Sequence, residues 1–187
     1  TNQEYAKLGL LGTTVVVSSG DNGAWSRSDK TCYDNSTFRP EFPSSSPYVL
    51  SVGATMLNKG KSKKPKPAIC SQPQYHDVPC ATGGEEVVCS TDPSAGGAKH
   101  TSGGGFSSFS SRPAWQNAAV SPYLQNKSVM AFAGGFAKDG KTALRFNATG
   151  RAYPDVSAVG HQLIYIGWQN KDKVEGGTSF SAPIVAG

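Results

Sequence analysis

The strongest chemical signal in this sequence is a serine at the start of a predicted helix. The string Gly-Gly-Thr-Ser-Phe-Ser-Ala-Pro occupies residues 176–183 and runs into an apolar segment. Unpaired N–H groups and the helix dipole at such a helix start stabilise negative charge that develops on a substrate oxygen. The pattern therefore predicts that Ser179 is a nucleophile. A serine- and threonine-rich loop that only caps a helix is the alternative.

A second chemical group follows a β-branched run at residues 13–17, where the sequence reads Ser-Gly-Asp at residues 19–21. Catalytic side chains in open α/β sheets collect at the carboxyl ends of the strands. With a strand at residues 13–17, Asp21 is expected to face the same cleft as Ser179. A simple Asp-Asn-Gly turn at residues 21–23 also explains these residue types.

The elements that must position Ser179 and Asp21 alternate between helices and strands. A Thr-x-x-Glu capping box begins a helix at Thr1, and the β-branched run is typical of a strand buried on both faces. Further elements are strands at residues 48–54 and 161–168, a short helix at 113–120 and a last helix from Ser179. This order predicts an α/β fold in which helices flank a mainly parallel sheet.

The chain has the size and composition of one domain. It has 187 residues, of which 37% are hydrophobic, so it is long enough to bury a core. Residues 57–103 show no periodicity and hold three of the four cysteines. We interpret them as a disulfide-stapled surface insertion in a domain that spans residues 1–187.

The net charge of +5 does not indicate a nucleic-acid partner. Much of the excess comes from a lysine run at residues 59–66, with no interleaved aromatic residues and no binding motif around it. That run is typical of a solvated loop. No stretch reaches the roughly 18 apolar residues of a membrane-spanning helix, so no membrane partner is expected either.

The cysteines and the asparagine sequons favour a secretory route. Cys32, Cys70, Cys80 and Cys89 show no Cys-x-x-Cys spacing, which favours two disulfides over a zinc site, with three pairings possible. Buried free thiols are the alternative. Glycosylation sequons begin at Asn35, Asn126 and Asn147. Together these features predict a lysosomal, vacuolar or secreted protein.

Five segments of the sequence together resemble the sedolisins, or serine-carboxyl peptidases, and within them the tripeptidyl-peptidase branch. The matching segments are Ser-Gly-Asp at 19–21, the Phe- and Pro-rich stretch at 38–49, Gly-Gly-Gly-Phe-Ser to Arg-Pro at 103–113, Gly-Arg-Ala-Tyr-Pro-Asp-Val at 150–156 and Gly-Thr-Ser at 177–179. The resemblance covers nearly the whole chain outside the insertion. It implies a subtilisin-like fold and peptide hydrolysis under acidic conditions, with release of tripeptides from free N-termini.

By this resemblance, Ser179 is the nucleophile and Asp21 is the acid of the oxyanion hole. An aspartic acid donates a hydrogen bond to an oxyanion only while it is protonated, as acidic solution favours. Ser45 and Thr178 are implied to bind the peptide. The base is implied to be a glutamate supported by an aspartate, which works at a pH where a free histidine is protonated.

The resemblance also implies what this stretch of sequence lacks. In the family, the glutamate and aspartate lie upstream of the Ser-Gly-Asp segment, and calcium-binding aspartates lie downstream of the serine helix. We therefore expect part of a larger catalytic domain, inactive by itself, whose partners are the rest of that domain and a peptide or protein substrate. No cofactor or metal is expected within residues 1–187, and calcium is expected from the missing C-terminal part.

Other interpretations stay open at this stage. A sedolisin-type endopeptidase and a catalytically inactive, peptidase-like binding module both fit the same motifs. A subtilisin with a catalytic histidine is disfavoured, because His76, His100 and His161 do not lie in a His-Gly-Thr-His context. Phe180 follows the predicted nucleophile where the family commonly has a small residue, and this departure bears on peptide specificity.

Overall fold

The described residues form one central sheet of four strands and three smaller strand pairs. The computed structural model describes residues 1–25, 38–57, 86–92, 97–136, 142–144, 146–167 and 172–187. The helices are α1 (Asn2–Leu10), α2 (Asn117–Gln125), α3 (Lys127–Ala133) and α4 (Thr178–Ala186). The strands are β1 (Val16–Ser18), β2 (Leu50–Leu57), β3 (Glu86–Val88), β4 (Gly105–Ser111), β5 (Gly134–Phe136), β6 (Thr142–Leu144), β7 (Gly150–Tyr153), β8 (Val156–Val159), β9 (Leu163–Ile166) and β10 (Asp172–Glu175).

Strand β2 is the centre of the main sheet. One of its edges pairs with β8 in parallel, while the other pairs with β1 in parallel and then with β3 in antiparallel orientation. Val52 lies opposite both Ser18 of β1 and Val156 of β8. The carboxyl ends of β1 and β8 therefore point the same way, as parallel pairing requires. This is the mainly parallel α/β arrangement that the sequence predicts.

Helix α4 packs on this sheet against β1, β2 and β8. Gly160, just after β8, allows the close approach, because a Cβ there would overlap the Ser181 hydroxyl and lie 2.8 Å from Ala54 Cβ. Ser181 Oγ donates a hydrogen bond to the Ala158 carbonyl at 3.0 Å. The N-terminus of α4 is thereby fixed beside the carboxyl end of β1.

Among the described residues, two clusters of buried apolar side chains contribute to the core. One contains Ala54, Met56, Cys89 and Ala98. The other contains Phe106, Val120 and Phe146, and the rings of its two phenylalanines stack at 4.6 Å between centroids.

The described part of residues 57–103 differs from the surface insertion that the sequence predicts. Strand β3 belongs to the central sheet, and Cys89 and Ala98 are buried. The three-residue strand is too short to give a periodic signal, which explains why the sequence pattern missed it. Residues 58–85 and 93–96 lie outside the described residues.

The element predictions hold where the local pattern is strong. The first helix, the strand predicted at residues 48–54, which is β2 from Leu50, and the last helix are confirmed, and the short helix predicted at residues 113–120 becomes a 3₁₀ turn followed by α2. Thr1 is the N-cap residue of α1 but makes no side-chain capping hydrogen bond. Strand β1 is only partly buried, and among the described residues it pairs with β2 alone. Among the described residues, no helix has the length and apolar character needed to cross a membrane.

A buried ion pair joins β7 to the start of β8. Arg151 is fully buried, and its Nε and Nη2 donate to the carbonyls of Ser46 and Val49 at 2.9 and 3.1 Å. Its guanidinium also pairs with Asp155, whose Oδ2 accepts the Ser51 N–H at 2.8 Å. Asp155 is therefore a structural carboxylate and not a free base for catalysis.

This network gives the first testable prediction. Asp155→Ala in the full-length protein leaves the buried Arg151 charge uncompensated, and we expect the free energy of unfolding to fall by about 3–5 kcal/mol. Urea denaturation measures the change. The matched control is Glu4→Ala, which breaks the exposed Glu4–Lys7 pair (N···O 2.9 Å) and is expected to cost less than about 1 kcal/mol. Equal losses in the two variants would contradict a structural role for Asp155.

Candidate active site

Asp21 and Thr178 form the centre of the candidate site. The backbone N–H of Thr178, at the first position of α4, donates to Asp21 Oδ1 at 2.8 Å. The Thr178 hydroxyl donates to the same oxygen at 3.0 Å and accepts the Gly20 N–H at 3.1 Å. A carboxylate at this place satisfies unpaired N–H groups of the helix start and interacts favourably with the helix dipole.

Ser179 lies next to this pair and is exposed to solvent. Gly177, the residue before the helix, has a φ of 139°, a backbone conformation that strongly favours glycine. A Cβ on Gly177 would lie 3.2 Å from Asp21 Oδ2 and 3.2 Å from Ser179 Oγ. Asp21 Oδ2 and the hydroxyl of Ser179 therefore border the same small space above Gly177.

The glycines at residues 103–105 let a second segment support Asp21. The Gly103 N–H donates to the Gly20 carbonyl at 2.6 Å, and the Thr101 N–H donates to the Asp21 carbonyl at 3.1 Å. A Cβ on Gly103 would overlap the Ser19 carbonyl. The glycine string in the sequence thus reflects close approach of two backbones behind the site.

Thr178 and Ser45, the two residues predicted to bind the peptide, are both buried. Thr178 is 1% exposed, and both hydrogen-bonding functions of its hydroxyl are used within the protein. It holds Asp21 and offers no side-chain contact to a substrate. Ser45 is buried in a turn that Ser44 ties to the end of β1, through a 2.8 Å bond from its hydroxyl to the Ser18 carbonyl.

The arrangement can stabilise an oxyanion but shows no base. Both hydrogen bonds from Thr178 end on Asp21 Oδ1, while Asp21 Oδ2 lies toward the space beside Ser179. Within the described part of the chain, no carboxylate or imidazole is hydrogen-bonded to Ser179. No group of three or more His, Cys, Asp or Glu side chains there could hold a metal ion. The calcium binding that the family resemblance implies is expected in the region beyond residue 187.

The predicted modification sites are only partly described. Asn126 Oδ1 accepts the N–H of Ser128 at 3.0 Å at the start of α3. Asn147 Oδ1 accepts the Thr149 hydroxyl at 2.8 Å, while its Nδ2 donates to the Ser107 carbonyl at 3.3 Å. Asn35 lies outside the described residues, and glycosylation of the three asparagines stays a prediction.

The cysteine prediction differs from the structure at Cys89. Its side chain is a fully buried free thiol, and burial, together with the charge of Asp21, raises its pKa to about 11. Cys32, Cys70 and Cys80 lie outside the described residues. Cys89 packs as a small apolar core residue next to Ala54 and Met56, which is a common environment for a free thiol.

His100 is a buried residue of this site that the sequence patterns did not single out. It is 7% exposed, and its Nε2 is buried without a hydrogen-bond partner in the described structure. A Cβ on Gly176 would lie 3.1 Å from His100 Cε1, so the ring packs directly behind the turn that precedes Ser179. Burial lowers the pKa of His100 below its ordinary value of 6.5, and the charge of Asp21 opposes this effect.

The buried imidazole predicts a pH-dependent loss of stability. Because the pKa is lower in the folded state, the unfolded chain binds the extra proton, and stability falls as pH drops below about 6.5 toward the folded pKa. We expect His100→Gln in the full-length protein to lose less stability than the parent between pH 7 and pH 4. Between the pKa of His100 in the unfolded chain and its pKa in the folded protein, the difference in the free energy of unfolding grows by about 1.4 kcal/mol per pH unit. Urea midpoints that fall in parallel for both proteins would contradict a buried, neutral His100.

Comparison with known proteins identifies the family of the chain. The subtilase family model matches residues 2–187. Among curated proteins, the chain is 41% identical over 189 residues to physarolisin of Physarum polycephalum, covering 100% of this chain and 30% of that protein. It is 32% identical over 194 residues to tripeptidyl-peptidase 1 of Mus musculus, covering 100% of this chain and 25% of that protein. The chain thus spans less than a third of the length of these relatives.

A solved structure shares the fold. Pseudomonas sedolisin (serine-carboxyl proteinase), complexed with two molecules of pseudo-iodotyrostatin, aligns with a TM-score of 0.62 and 24% sequence identity. The alignment covers 100% of this chain and 39% of that chain. The central sheet and the helix that begins at Thr178 therefore belong to a known architecture.

Proposed function

The chain belongs to the subtilase family and to its sedolisin group, near the tripeptidyl-peptidases, and from this premise we propose that it carries the nucleophile and the oxyanion acid of a peptidase. The observation that carries the proposal is the Asp21 carboxyl group held on the first turn of α4, directly beside Ser179. A hydroxyl nucleophile and a hydrogen-bond donor in this arrangement serve acyl transfer, and the family of the chain indicates that the acyl group is that of a peptide bond.

In the proposed reaction, Ser179 Oγ attacks the carbonyl carbon of the scissile peptide bond. Its proton passes to a carboxylate base that the family resemblance assigns to a glutamate upstream of residue 1. The carbonyl oxygen, on which negative charge develops, accepts hydrogen bonds from the protonated carboxyl group of Asp21 and from N–H groups at the start of α4. The amine of the leaving peptide then takes the proton from the base, and water hydrolyses the acyl-enzyme by the same steps.

The residue types favour action in acidic solution. Asp21 can donate to the oxyanion only while it is protonated, and a carboxylate base stays functional where an imidazole base is protonated. We propose that the full-length enzyme removes tripeptides from free N-termini, as the names of the tripeptidyl-peptidase relatives suggest. A lysosomal, vacuolar or secreted location, glycosylation and calcium binding outside this chain complete the proposal.

The direct test is a peptidase assay of the full-length protein. Peptides of eight residues with free or acetylated N-termini are incubated at pH 4 and pH 7, and mass spectrometry identifies the products. Release of tripeptides from the free peptides only, and faster at pH 4, supports the proposal. Internal cleavage of the acetylated peptides indicates an endopeptidase instead. No cleavage of any peptide would favour an inactive binding module.

A further inference from the structure

The face of α4 that carries Ser179 has a large side chain beside it. Thr178, Ser181 and Ala182 are buried against the sheet, while Ser179 is exposed. Successive residues of a helix are rotated by about 100°, so Phe180 lies about 100° round the helix from Ser179, on the side away from Thr178. Phe180 is partly buried there.

The ring of Phe180 has a defined partner. It contacts the ring of Tyr165 in β9, with 5.3 Å between the centroids and 55° between the planes. Such tilted pairs are a favourable geometry for aromatic side chains and restrict the motion of both rings. Helical side chains lean toward the N-terminus of their helix, so the ring of Phe180 extends toward the turn from which Ser179 projects.

The strand that carries Tyr165 is attached to the same turn. Strands β9 and β10 form an antiparallel pair, in which Tyr165 lies opposite Lys173. In the described residues they pair with each other and with no other strand. Strand β10 ends at Glu175, two residues before Gly177. The contact of Phe180 with Tyr165 therefore fixes the hairpin beside the nucleophile.

We propose that the Phe180–Tyr165 pair is a wall of the substrate groove that limits the size of one substrate residue next to the scissile bond. The inference rests on the proposed peptidase function and goes beyond it by naming residues that select the substrate. A peptide carbonyl that reaches Ser179 Oγ must bring its two flanking side chains to the start of α4. The side chain on the side of the aromatic pair meets two packed rings, so small residues fit and large apolar residues clash.

The test measures kcat/KM of the full-length protein on two peptide series at its acidic assay pH. One series varies the residue before the cleaved bond and the other varies the residue after it, each with alanine, leucine or phenylalanine. Phe180→Ala and Tyr165→Ala are each expected to raise the preference for leucine or phenylalanine over alanine by about 10-fold, at the same one of the two positions. Because the rings act as one unit, the double variant is expected to show much less than the product of the two effects.

Two control variants distinguish a wall of the substrate groove from a contact that only stabilises the fold. Tyr165→Phe keeps the ring and is expected to keep the parent preference. Ile184→Ala removes a side chain that is 54% exposed, one turn further along the same flank of α4, and is also expected to keep it. A lower melting temperature with unchanged preference in Phe180→Ala would overturn the inference and leave the proposed function standing. A parent protein that cleaves none of the peptides would overturn both.

Discussion

Replacing Ser179 with alanine in the full-length protein is expected to lower kcat for peptide hydrolysis by about 10⁴-fold or more, with little effect on folding. The hydroxyl is exposed and has no hydrogen-bond partner among the described residues, so its loss removes no structural interaction. Circular dichroism and the melting temperature are expected to match those of the parent. Single-turnover assays with an octapeptide that the parent protein cleaves measure the remaining rate.

Ser181→Ala is the matched control, because the two serines are two residues apart on α4. Ser181 is fully buried, and its hydroxyl donates to the Ala158 carbonyl at 3.0 Å. Its removal is expected to cost about 1 kcal/mol of stability while kcat stays within a few-fold of the parent value. If Ser181→Ala abolishes activity and Ser179→Ala does not, the nucleophile is misassigned.

Replacing Asp21 with alanine is expected to lower kcat by about 10²- to 10³-fold, while KM changes little. The carboxyl group borders the space shared with Ser179, where its protonated form can donate a hydrogen bond to the oxyanion of the transition state. The same change removes the two hydrogen bonds from Thr178 at the start of α4 and is expected to cost about 1–2 kcal/mol of stability. The kcat and KM values are compared under conditions where both proteins are folded.

Asp21→Asn separates the two functions of the carboxyl group. The amide oxygen can accept both hydrogen bonds from Thr178, and the amide NH₂ donates at every pH, whereas a carboxyl group donates only when protonated. We expect this variant to keep kcat within about 10-fold of the parent at pH 4 and to lose less activity on going to pH 7. Identical pH profiles for the parent and Asp21→Asn would contradict a donor role for Asp21.

The parts of the fold that the sequence predicts are those with a strong local pattern. The β-branched run at residues 13–17 overlaps β1, and the strand predicted at residues 48–54 overlaps β2, because β-branched and apolar residues favour strands. Strands β7 and β8 gave no such signal. Arg151 lies in β7, and Asp155 directly precedes β8. A charged side chain is compatible with a buried position only where the folded chain supplies a partner for its charge.

The candidate site shows the same division. The residue types at Asp21 and Ser179 indicated their chemistry, because each occurs in a short motif with its own turn and glycines. The motif Gly-Thr-Ser could not indicate that Thr178 holds Asp21, since the two residues are 157 positions apart and meet only through the pairing of β1 with β2 and the packing of α4.

By itself, the sequence determined the α/β class, the residues that carry the proposed chemistry and, through its motifs, the family of the chain. Only the tertiary structure decided that Cys89 and His100 are buried, that Asp155 forms an ion pair with Arg151, and that Phe180 packs on Tyr165 beside the nucleophile. The physical reason is that a motif is a local arrangement of residue types. Burial, ion pairing and ring contacts depend on segments that are distant in sequence and are brought together only when the sheet and α4 form.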